Sequence, residues 1–188
     1  MPFPRVSRLF DQVDQAEYAF CRAINQGLRF RPLLGYFQVV SRLGDGWLWY
    51  ALILALPLLE PERGLAVALL MALTGLICTL IYKSLKKSLV RERPFISFPA
   101  IHCGIPPLDR YSFPSGHTLH AVAFTTLLAV ALPTLALILL PFTLSVAASR
   151  VILGLHYPTD VLAGAGIGGC LGLVAGIWGM TPLLQALV

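Results

Sequence analysis

The chain has 188 residues, of which 57% are hydrophobic and only 12% are charged, and its mean hydropathy is +0.77. A soluble domain carries about 25% charged residues, so this composition excludes an ordinary soluble fold and predicts a single-domain integral membrane protein. The formal net charge of +5 does not indicate nucleic-acid binding, because no soluble domain surrounds the basic residues. We therefore expect no nucleic-acid partner and assign much of this charge to membrane loops.

Residues 1–46 predict an interfacial N-terminal segment rather than a membrane span. Charged side chains interrupt residues 9–31 throughout, which is typical of an amphipathic helix lying in the membrane interface. Residues 33–43 are short and only partly apolar, and residues 44–46 (Gly-Asp-Gly) predict a break after them. The first ten residues have no apolar core, so we expect no cleaved signal peptide.

Residues 47–180 predict a transmembrane catalytic core, and the fold class is an all-α, multi-pass helical bundle with about five spans. Five apolar runs supply these spans, namely residues 47–59, 64–82, 115–132, 134–151 and 158–178. The second helix is expected to continue beyond the bilayer as far as Arg93, because Pro94 stops it. The many glycines of the last run predict close packing between helices.

Residues 95–113 predict an extramembrane loop between the second and third spans. This stretch is rich in proline and glycine, and it is long enough to cover a site as a lid. Asp109 and Arg110 belong to it, and we expect them to order the loop rather than to take part in chemistry.

Three polar clusters lie in this apolar sequence, each at the end of a predicted span. The first joins Lys86 to Arg93, the second is residues 114–117 (Pro-Ser-Gly-His), and the third runs from Ser149 to Asp160. Following the chain through its spans brings the end of the second, the start of the third, the end of the fourth and the start of the fifth to one side. The three clusters are therefore expected to meet at one membrane face.

The first two clusters suit the binding of an anion. Lys86 and Arg93 are seven residues apart, so on a helix they share one face. Ser115 follows a proline and is a good helix N-cap, Gly116 allows close backbone approach, and His117 lies in the first turn. The free N–H groups of such a turn form a ready anion site. The other basic residues nearby are interpreted as contacts to lipid headgroups: Lys83, Lys87 and Arg91.

The third cluster supplies a nucleophile and its support. Pro158 suits the first position of a helix, so Asp160 falls in the first helical turn. Its carboxylate can accept a hydrogen bond from one imidazole nitrogen of His156 and leave the other exposed as a nucleophile. Arg150 can bind a phosphate through two parallel hydrogen bonds. Charged groups this close to hydrocarbon are costly and typically functional, which predicts a site that holds a phosphate and attacks its phosphorus.

The complete pattern resembles the three-part signature of the type 2 phosphatidic acid phosphatase superfamily. It reads Lys86-x6-Arg93-Pro94, Pro114-Ser115-Gly116-His117 and Ser149-Arg150-x5-His156-x3-Asp160, and it agrees at every signature position. The resemblance covers residues 86–160, and residues 1–46 add nothing to it. It implies a membrane helical bundle that hydrolyses a phosphomonoester or diphosphate of a lipid, with no metal and no cofactor.

Carried over residue by residue, the resemblance implies a role for each position. His156 attacks phosphorus and becomes a phosphohistidine, Asp160 orients His156, and His117 protonates the leaving oxygen and then activates water. Five residues bind the phosphate oxygens: Lys86, Arg93, Ser115, Gly116 and Arg150. Ser149 is expected only to support Arg150.

The remaining histidines and cysteines give weaker signals. The four cysteines are scattered, without metal-site spacing or an assignable disulfide. His102 and Cys103 are adjacent, but two ligands without a second pair are weak evidence for zinc, and no metal is predicted. His120 lies outside the signature and is expected to pack rather than to catalyse.

The expected partners are a lipid phosphate substrate and the bilayer, while the sequence leaves the oligomeric state open. Candidate substrates are polyprenyl phosphates or diphosphates, phosphatidic acid, phosphatidylglycerol phosphate and a lipid A phosphate. All the basic residues except Arg63 fall on the side of the site. The positive-inside rule then predicts a site at the cytoplasmic face of a bacterial inner membrane. A span hidden in residues 9–43 would reverse this and place the site at the outer face.

Three rival functions follow from the same residues. A phosphotransferase would pass the phosphohistidine to an acceptor lipid instead of water. A relative of the haloperoxidases would bind vanadate in a similar pocket, but the five predicted spans argue against it. A non-enzymatic lipid carrier would not need two histidines with a carboxylate behind one of them.

Overall fold

The computed structural model describes residues 4–179, and the regular structure in this range is entirely helical. The predicted domain ends, residues 1–3 and 180–188, lie outside the described residues. Short 3₁₀ or π turns link or extend some of the eight helices, at Gln26–Arg29, Leu43–Trp47 and Ala175–Gly179. The helices are α1 (Pro4–Asn25), α2 (Arg31–Arg42), α3 (Leu48–Leu59), α4 (Gly64–Leu89), α5 (Pro94–Ser97), α6 (Gly116–Ala131), α7 (Pro133–Ile152) and α8 (Pro158–Val174). The all-α prediction is confirmed.

Four helical segments are long and apolar enough to cross a membrane, and α6 is apolar but shorter. The four are Arg31–Leu59, Gly64–Ser97, Pro133–Ile152 and Pro158–Gly179. Each of the five predicted apolar runs lies largely within one of these segments or within α6. Helix α6 has 16 residues, a length of about 24 Å, and it is the central helix because α4, α7 and α8 all pack against it.

The predicted break at residues 44–46 is a kink inside the first candidate span. Gly46 has a φ of 131°, which glycine adopts freely because it has no Cβ. A Cβ on Gly44 would lie only 3.1 Å from the Val146 side chain, so this glycine allows close approach to α7. Helices α2 and α3 therefore meet at this kink, and together they form the apolar segment Arg31–Leu59, whose second half is the predicted run 47–59.

Helix α1 is the amphipathic helix expected from residues 9–31, and one of its faces packs on the protein. Cys21 and Asn25 on that face are 1% and 2% exposed. The Asn25 amide donates hydrogen bonds to the backbone carbonyls of His102 and Ile152, at 2.9 and 3.0 Å. Helix α1 is therefore tied to the long loop and to the end of α7, and its placement in the membrane interface stays a prediction.

Helix α4 ends at Leu89, four residues before its predicted end. Val90 adopts the left-handed conformation, with φ 48° and ψ 52°, and reverses the chain. This conformation is unfavourable for a β-branched residue, so contacts made by the following residues must stabilise it. The reversal directs Arg91 and Arg93 into the protein, where they are 2% and 3% exposed. The prediction of a helix up to Arg93 is wrong because these buried contacts override helix propensity.

The predicted loop over residues 95–113 is present beyond the short helix α5. Residues 98–115 contain neither helix nor strand. Two backbone hydrogen bonds tie the loop to its surroundings: the Gly104 N–H donates to the Leu153 carbonyl at 2.9 Å, and the Ser112 N–H donates to the Arg91 carbonyl at 2.8 Å. Its movement as a lid stays a prediction.

Glycines four residues apart let α8 lie directly against the backbone of α6. A Cβ on Gly164 would lie 2.6 Å from the Ser115 carbonyl oxygen, and one on Gly168 would lie 2.2 Å from that of Leu119. A Cβ on Gly172 would likewise collide with the Ala123 carbonyl oxygen. The close packing predicted from the glycine-rich run is therefore found, and it fixes the first turns of α6 and α8 beside each other.

We expect Gly168→Ala to destabilise the protein and Gly166→Ala to leave it nearly unchanged. The added methyl at residue 168 would meet backbone, which cannot move aside cheaply, whereas nothing lies within 4 Å of a Cβ at residue 166. Overpacking of this kind costs about 1–3 kcal/mol. Thermal unfolding of both purified variants in one detergent measures the difference. Equal melting temperatures for the two variants would contradict the close α6–α8 contact.

Candidate active site

Four helix ends meet at one end of the bundle and surround a cavity. They are the last turn of α4, the first turn of α6, the last turn of α7 and the connection into α8. The cavity has a volume of about 490 Å³ and is lined by six of the eight predicted site residues: Lys86, Arg93, Gly116, His117, Arg150 and His156. The other two, Ser115 and Asp160, are both fully buried.

His156 lies at this cavity with a side chain that is only 2% exposed. Nη1 of Arg93 lies 3.2 Å from Nε2 of His156, and because a guanidinium only donates, Nε2 must be the acceptor. Burial, followed by the positive charges of Arg93, Lys86 and Arg150, holds the pKa of His156 well below its ordinary value. The ring is therefore neutral at neutral pH, with its proton on Nδ1 and the lone pair of Nε2 accepting the hydrogen bond from Arg93.

Asp160 lies beside the other ring nitrogen but does not form the predicted hydrogen bond. Its Oδ2 is 3.5 Å from Nδ1 of His156, which is too long for an N–H···O bond, and Nδ1 has no hydrogen-bond partner among the described residues. Other groups hold both carboxylate oxygens. The Tyr157 N–H donates to Oδ2 at 2.8 Å, and Nη1 of Arg91 donates to Oδ1 at 2.5 Å.

Neighbouring hydroxyls hold two of the predicted phosphate-binding residues. Nε of Arg150 donates to the Ser149 hydroxyl at 3.0 Å, as expected for Ser149, and Nη2 donates to the Ser41 hydroxyl. Ser115 is the N-cap of α6, as predicted, and its hydroxyl is paired with that of Thr118 at 3.0 Å. Ser115 does not line the cavity, so its contact with a phosphate stays a prediction.

Asp109, from the long loop, occupies the space between two of the predicted cations. Nζ of Lys86 donates to both of its carboxylate oxygens at 2.8 Å, and Nη2 of Arg93 donates to Oδ1 at 2.7 Å. Burial by itself would raise the pKa of Asp109, but the hydrogen bonds and charges of Lys86 and Arg93 outweigh burial and lower it. A phosphate that binds between Lys86 and Arg93 must therefore displace an ionised carboxylate.

His117 contacts a carboxylate that the sequence did not connect with the site. Its Nε2 is hydrogen-bonded to Oδ1 of Asp45, which comes from the kink between α2 and α3 and also lines the cavity. A carboxylate accepts this bond from an Nε2–H, which both the neutral and the charged imidazole can carry. His117 and His156 line the same cavity, so the two histidines predicted to act as acid and nucleophile face one space.

Three residues around the site were not identified from the sequence, namely Ser41, Asp45 and Arg91. Asp45 carried a usable signal, because a carboxylate between two glycines beside an apolar run is costly near hydrocarbon. Arg91 was interpreted as a headgroup contact, which is wrong because it is 2% exposed. Its position in the sequence does not distinguish it from Lys87, which is exposed.

The rest of the cavity is largely apolar and follows α4 away from its charged end. The α4 residues along it are Met71, Ala72, Gly75, Leu76, Thr79 and Tyr82. The path from Lys86 back to Met71 covers 15 residues, or about 22 Å of helix. Helices α3 and α6 line it as well, mainly with aromatic and aliphatic side chains: Trp49, Tyr50, Ile53 and Phe124. A charged end is therefore continuous with an apolar chamber.

His120 lines this chamber one turn after His117. Its Nδ1 lies 2.8 Å from the Gly116 carbonyl oxygen, and its Nε2 lies 3.1 Å from the Thr79 hydroxyl. These contacts occupy both ring nitrogens and join α6 to α4. They support the interpretation of His120 as a packing residue.

Comparison with known proteins gives the same family as the residue pattern. The family model described as "PAP2 superfamily" matches residues 63–181. The chain is 32% identical over 170 residues to decaprenylphosphoryl-5-phosphoribose phosphatase of Mycobacterium tuberculosis, covering 87% of this chain and 91% of that relative.

Two solved structures resemble the fold. Aquifex aeolicus LpxE has a TM-score of 0.70 and 27% identity, over 85% of this chain and 94% of that one. The transmembrane PAP2 type phosphatidylglycerolphosphate phosphatase of Bacillus subtilis has a TM-score of 0.68 and 25% identity, over 91% and 92% of the two chains. With the apolar helices described above, these matches show that the protein is an integral membrane protein. The chain belongs to the PAP2 superfamily and is a membrane phosphatase of that family.

Proposed function

We propose that this protein hydrolyses a phosphomonoester or diphosphate of a membrane lipid through a phosphohistidine at His156, without a metal ion. One observation carries the proposal: Lys86, Arg93, Arg150 and both histidines line a single cavity that continues into an apolar chamber. The charged end suits a phosphate, and the chamber along α4 suits a hydrocarbon tail. A water-soluble phosphate ester would have no use for the chamber.

The first chemical step is attack of His156 on phosphorus. As Arg93 Nη1 transfers its hydrogen bond from Nε2 to a phosphate oxygen, Nε2 uses the released lone pair to form the P–N bond while the P–O bond to the lipid breaks. His117 gives its proton to the leaving oxygen, so the lipid departs as a neutral alcohol, or as a phosphate when a diphosphate is cleaved. The ring of His156 becomes positively charged, and the nearby carboxylate of Asp160 stabilises that charge.

The second step releases phosphate and restores the enzyme. His117, now unprotonated, removes a proton from a water molecule, whose oxygen attacks phosphorus while the P–N bond breaks. Lys86, Arg93 and Arg150 neutralise the phosphate oxygens in both steps, and the N–H of Gly116 adds a backbone donor. The cost of displacing Asp109 from Lys86 and Arg93 is offset when the more highly charged phosphate takes its place.

The experiment that tests the function is a substrate panel with purified protein in detergent. The panel contains a polyprenyl phosphate, a polyprenyl diphosphate, phosphatidic acid, phosphatidylglycerol phosphate, a lipid A phosphate and water-soluble glycerol phosphate. We expect phosphate release from at least one lipid without an acceptor, little release from glycerol phosphate, and unchanged rates with a chelator. Release only after an acceptor lipid is added would indicate a phosphotransferase, and loss of activity with chelator would contradict the metal-free mechanism.

The relatives support the lipid part of the proposal through the substrates in their names. One is named a phosphatase of decaprenylphosphoryl-5-phosphoribose and another a phosphatase of phosphatidylglycerolphosphate, and both names describe a phosphorylated lipid. The panel therefore starts from polyprenyl-linked and glycerolipid phosphates.

The proposal includes a site at the cytoplasmic face. The kink at residues 44–46 adds no span, so the chain direction predicted from the sequence is retained, and thirteen of the fourteen basic residues remain on the side of the site. Reporter enzymes fused to the N-terminus and inserted after Glu60 measure this orientation. Periplasmic activity of the N-terminal fusion would place the site at the outer face.

A further inference from the structure

Arg91 is a buried cation that the catalytic steps above do not use. It follows the left-handed Val90, and its side chain is 1% exposed. Its Nη1 donates to Asp160 Oδ1 at 2.5 Å and to the Thr159 hydroxyl at 2.8 Å. Its Nη2 donates to Asp14 at 2.5 Å and to Glu17 at 3.0 Å. One guanidinium therefore joins α1 to the first turn of α8.

The surroundings of Arg91 match an arginine and would not accept a lysine equally well. Three carboxylates surround it, and the planar fork of N–H donors reaches all of them at once, a geometry that the compact ammonium of a lysine does not reproduce. The guanidinium carbon lies 4.1 Å from the centre of the Tyr157 ring and 5.0 Å from the centre of the Phe10 ring. These contacts fix the plane of the guanidinium as well as its charge.

Helix α1 holds the same turn of α8 by a second route. Glu17 accepts hydrogen bonds from both the N–H and the hydroxyl of Thr159, each at 2.8 Å. Thr159 directly precedes Asp160, so α1 restrains the backbone of the turn while Arg91 restrains the carboxylate. The strained conformation of Val90 fits this arrangement, because it is the reversal that brings Arg91 to Asp160.

We propose that Arg91 is a positioning residue for the phosphatase reaction, which sets the Asp160 carboxylate behind His156 and makes α1 part of the active-site support. The proposal rests on the function proposed above, in which Asp160 stabilises the charged ring of His156. Asp160 Oδ2 is 3.5 Å from Nδ1 of His156, and Arg91 donates a hydrogen bond to the other carboxylate oxygen, Oδ1. A small rotation of this carboxylate would move its charge away from the ring.

The test is a double-mutant cycle between Arg91→Lys and Asp160→Asn, measured with the lipid that the panel identifies. We expect Arg91→Lys to lower kcat about 10- to 100-fold, a range typical of residues that orient a functional ligand, with KM unchanged within about twofold. In the Asp160→Asn background the same change should cost less than about twofold, because the carboxylate through which Arg91 acts is already gone.

A matched control separates positioning from loss of stability. Leu56→Ala removes a fully buried side chain of α3 that does not line the cavity, and it should lower the melting temperature while keeping kcat. The proposal would be overturned if Arg91→Lys lowered kcat equally in both backgrounds. It would also be overturned if Arg91→Lys raised KM and left kcat unchanged. If the Arg91→Lys protein aggregates, Glu17→Gln replaces it in the double-mutant cycle with Asp160→Asn. The loss of kcat should again be large with Asp160 present and less than about twofold with Asp160→Asn. An inactive wild type, or an active His156→Ala variant, would instead refute the underlying function.

Discussion

Replacing His156 with alanine is expected to reduce phosphate release from the lipid substrate by at least about 10⁴-fold. The loss is this large because the variant has no atom in place of Nε2, the unprotonated ring nitrogen that points towards Arg93. Binding should survive, since Lys86, Arg93 and Arg150 remain. The measurement is the initial rate of phosphate release by purified protein, with melting temperature recorded to show that the variant is folded.

His102→Ala is the matched control for this substitution. His102 is an exposed loop histidine that does not line the cavity, so its replacement should leave the rate within about twofold of the wild type. Unchanged release by His156→Ala would mean that another residue is the nucleophile. A loss of similar size in both variants would show that the assay reports general damage.

Replacing His117 with alanine is expected to slow cleavage of an alkyl phosphate by about 10²- to 10⁴-fold, the usual contribution of a general acid. The same variant should lose much less on an aryl phosphate with the same tail, because an acidic phenol leaves without being protonated. The measurement is the release of the alcohol or phenol in the first turnover. The first turnover isolates the acid step, since His117 also activates water in the second step.

The two substrates serve as controls for each other in this experiment. If His117 only binds the phosphate, its removal slows the alkyl and aryl substrates by the same factor, because both carry the same phosphate. Equal losses would therefore contradict the role of His117 as the acid. A selective loss on the alkyl substrate would support the role of His117 as the general acid.

The convergence of the site could be predicted because helix direction alone determines which ends meet. Lys86, His117 and His156 lie on different elements, yet apolar runs of known length between them fix their side of the membrane. The N-cap role of Ser115 could also be predicted, because a serine that follows a proline and precedes an apolar run is typical of a helix start. Both features follow from local sequence patterns, namely the lengths of the apolar runs and the residues on either side of Ser115.

The supports of the site could not be predicted, because they depend on where the chain reverses. Val90 gives no sign in the sequence that it would take a left-handed conformation, and without it Arg91 would point along a continuing helix. Asp45 reaches His117 from the kink between α2 and α3, where Gly46 has a positive φ. The predicted bond from Asp160 to His156 is not formed for the same reason, since Arg91 holds that carboxylate.

The central claim is that the phosphate passes through Nε2 of His156, and trapping the intermediate tests it most directly. Protein is mixed with the lipid substrate, quenched in alkali within the first turnovers, digested, and analysed by mass spectrometry. We predict a phosphate that is stable in alkali and lost in acid on the peptide containing His156, and no such label in His156→Ala. Steady turnover with no label on that peptide, or with the phosphate on another residue, would contradict the account.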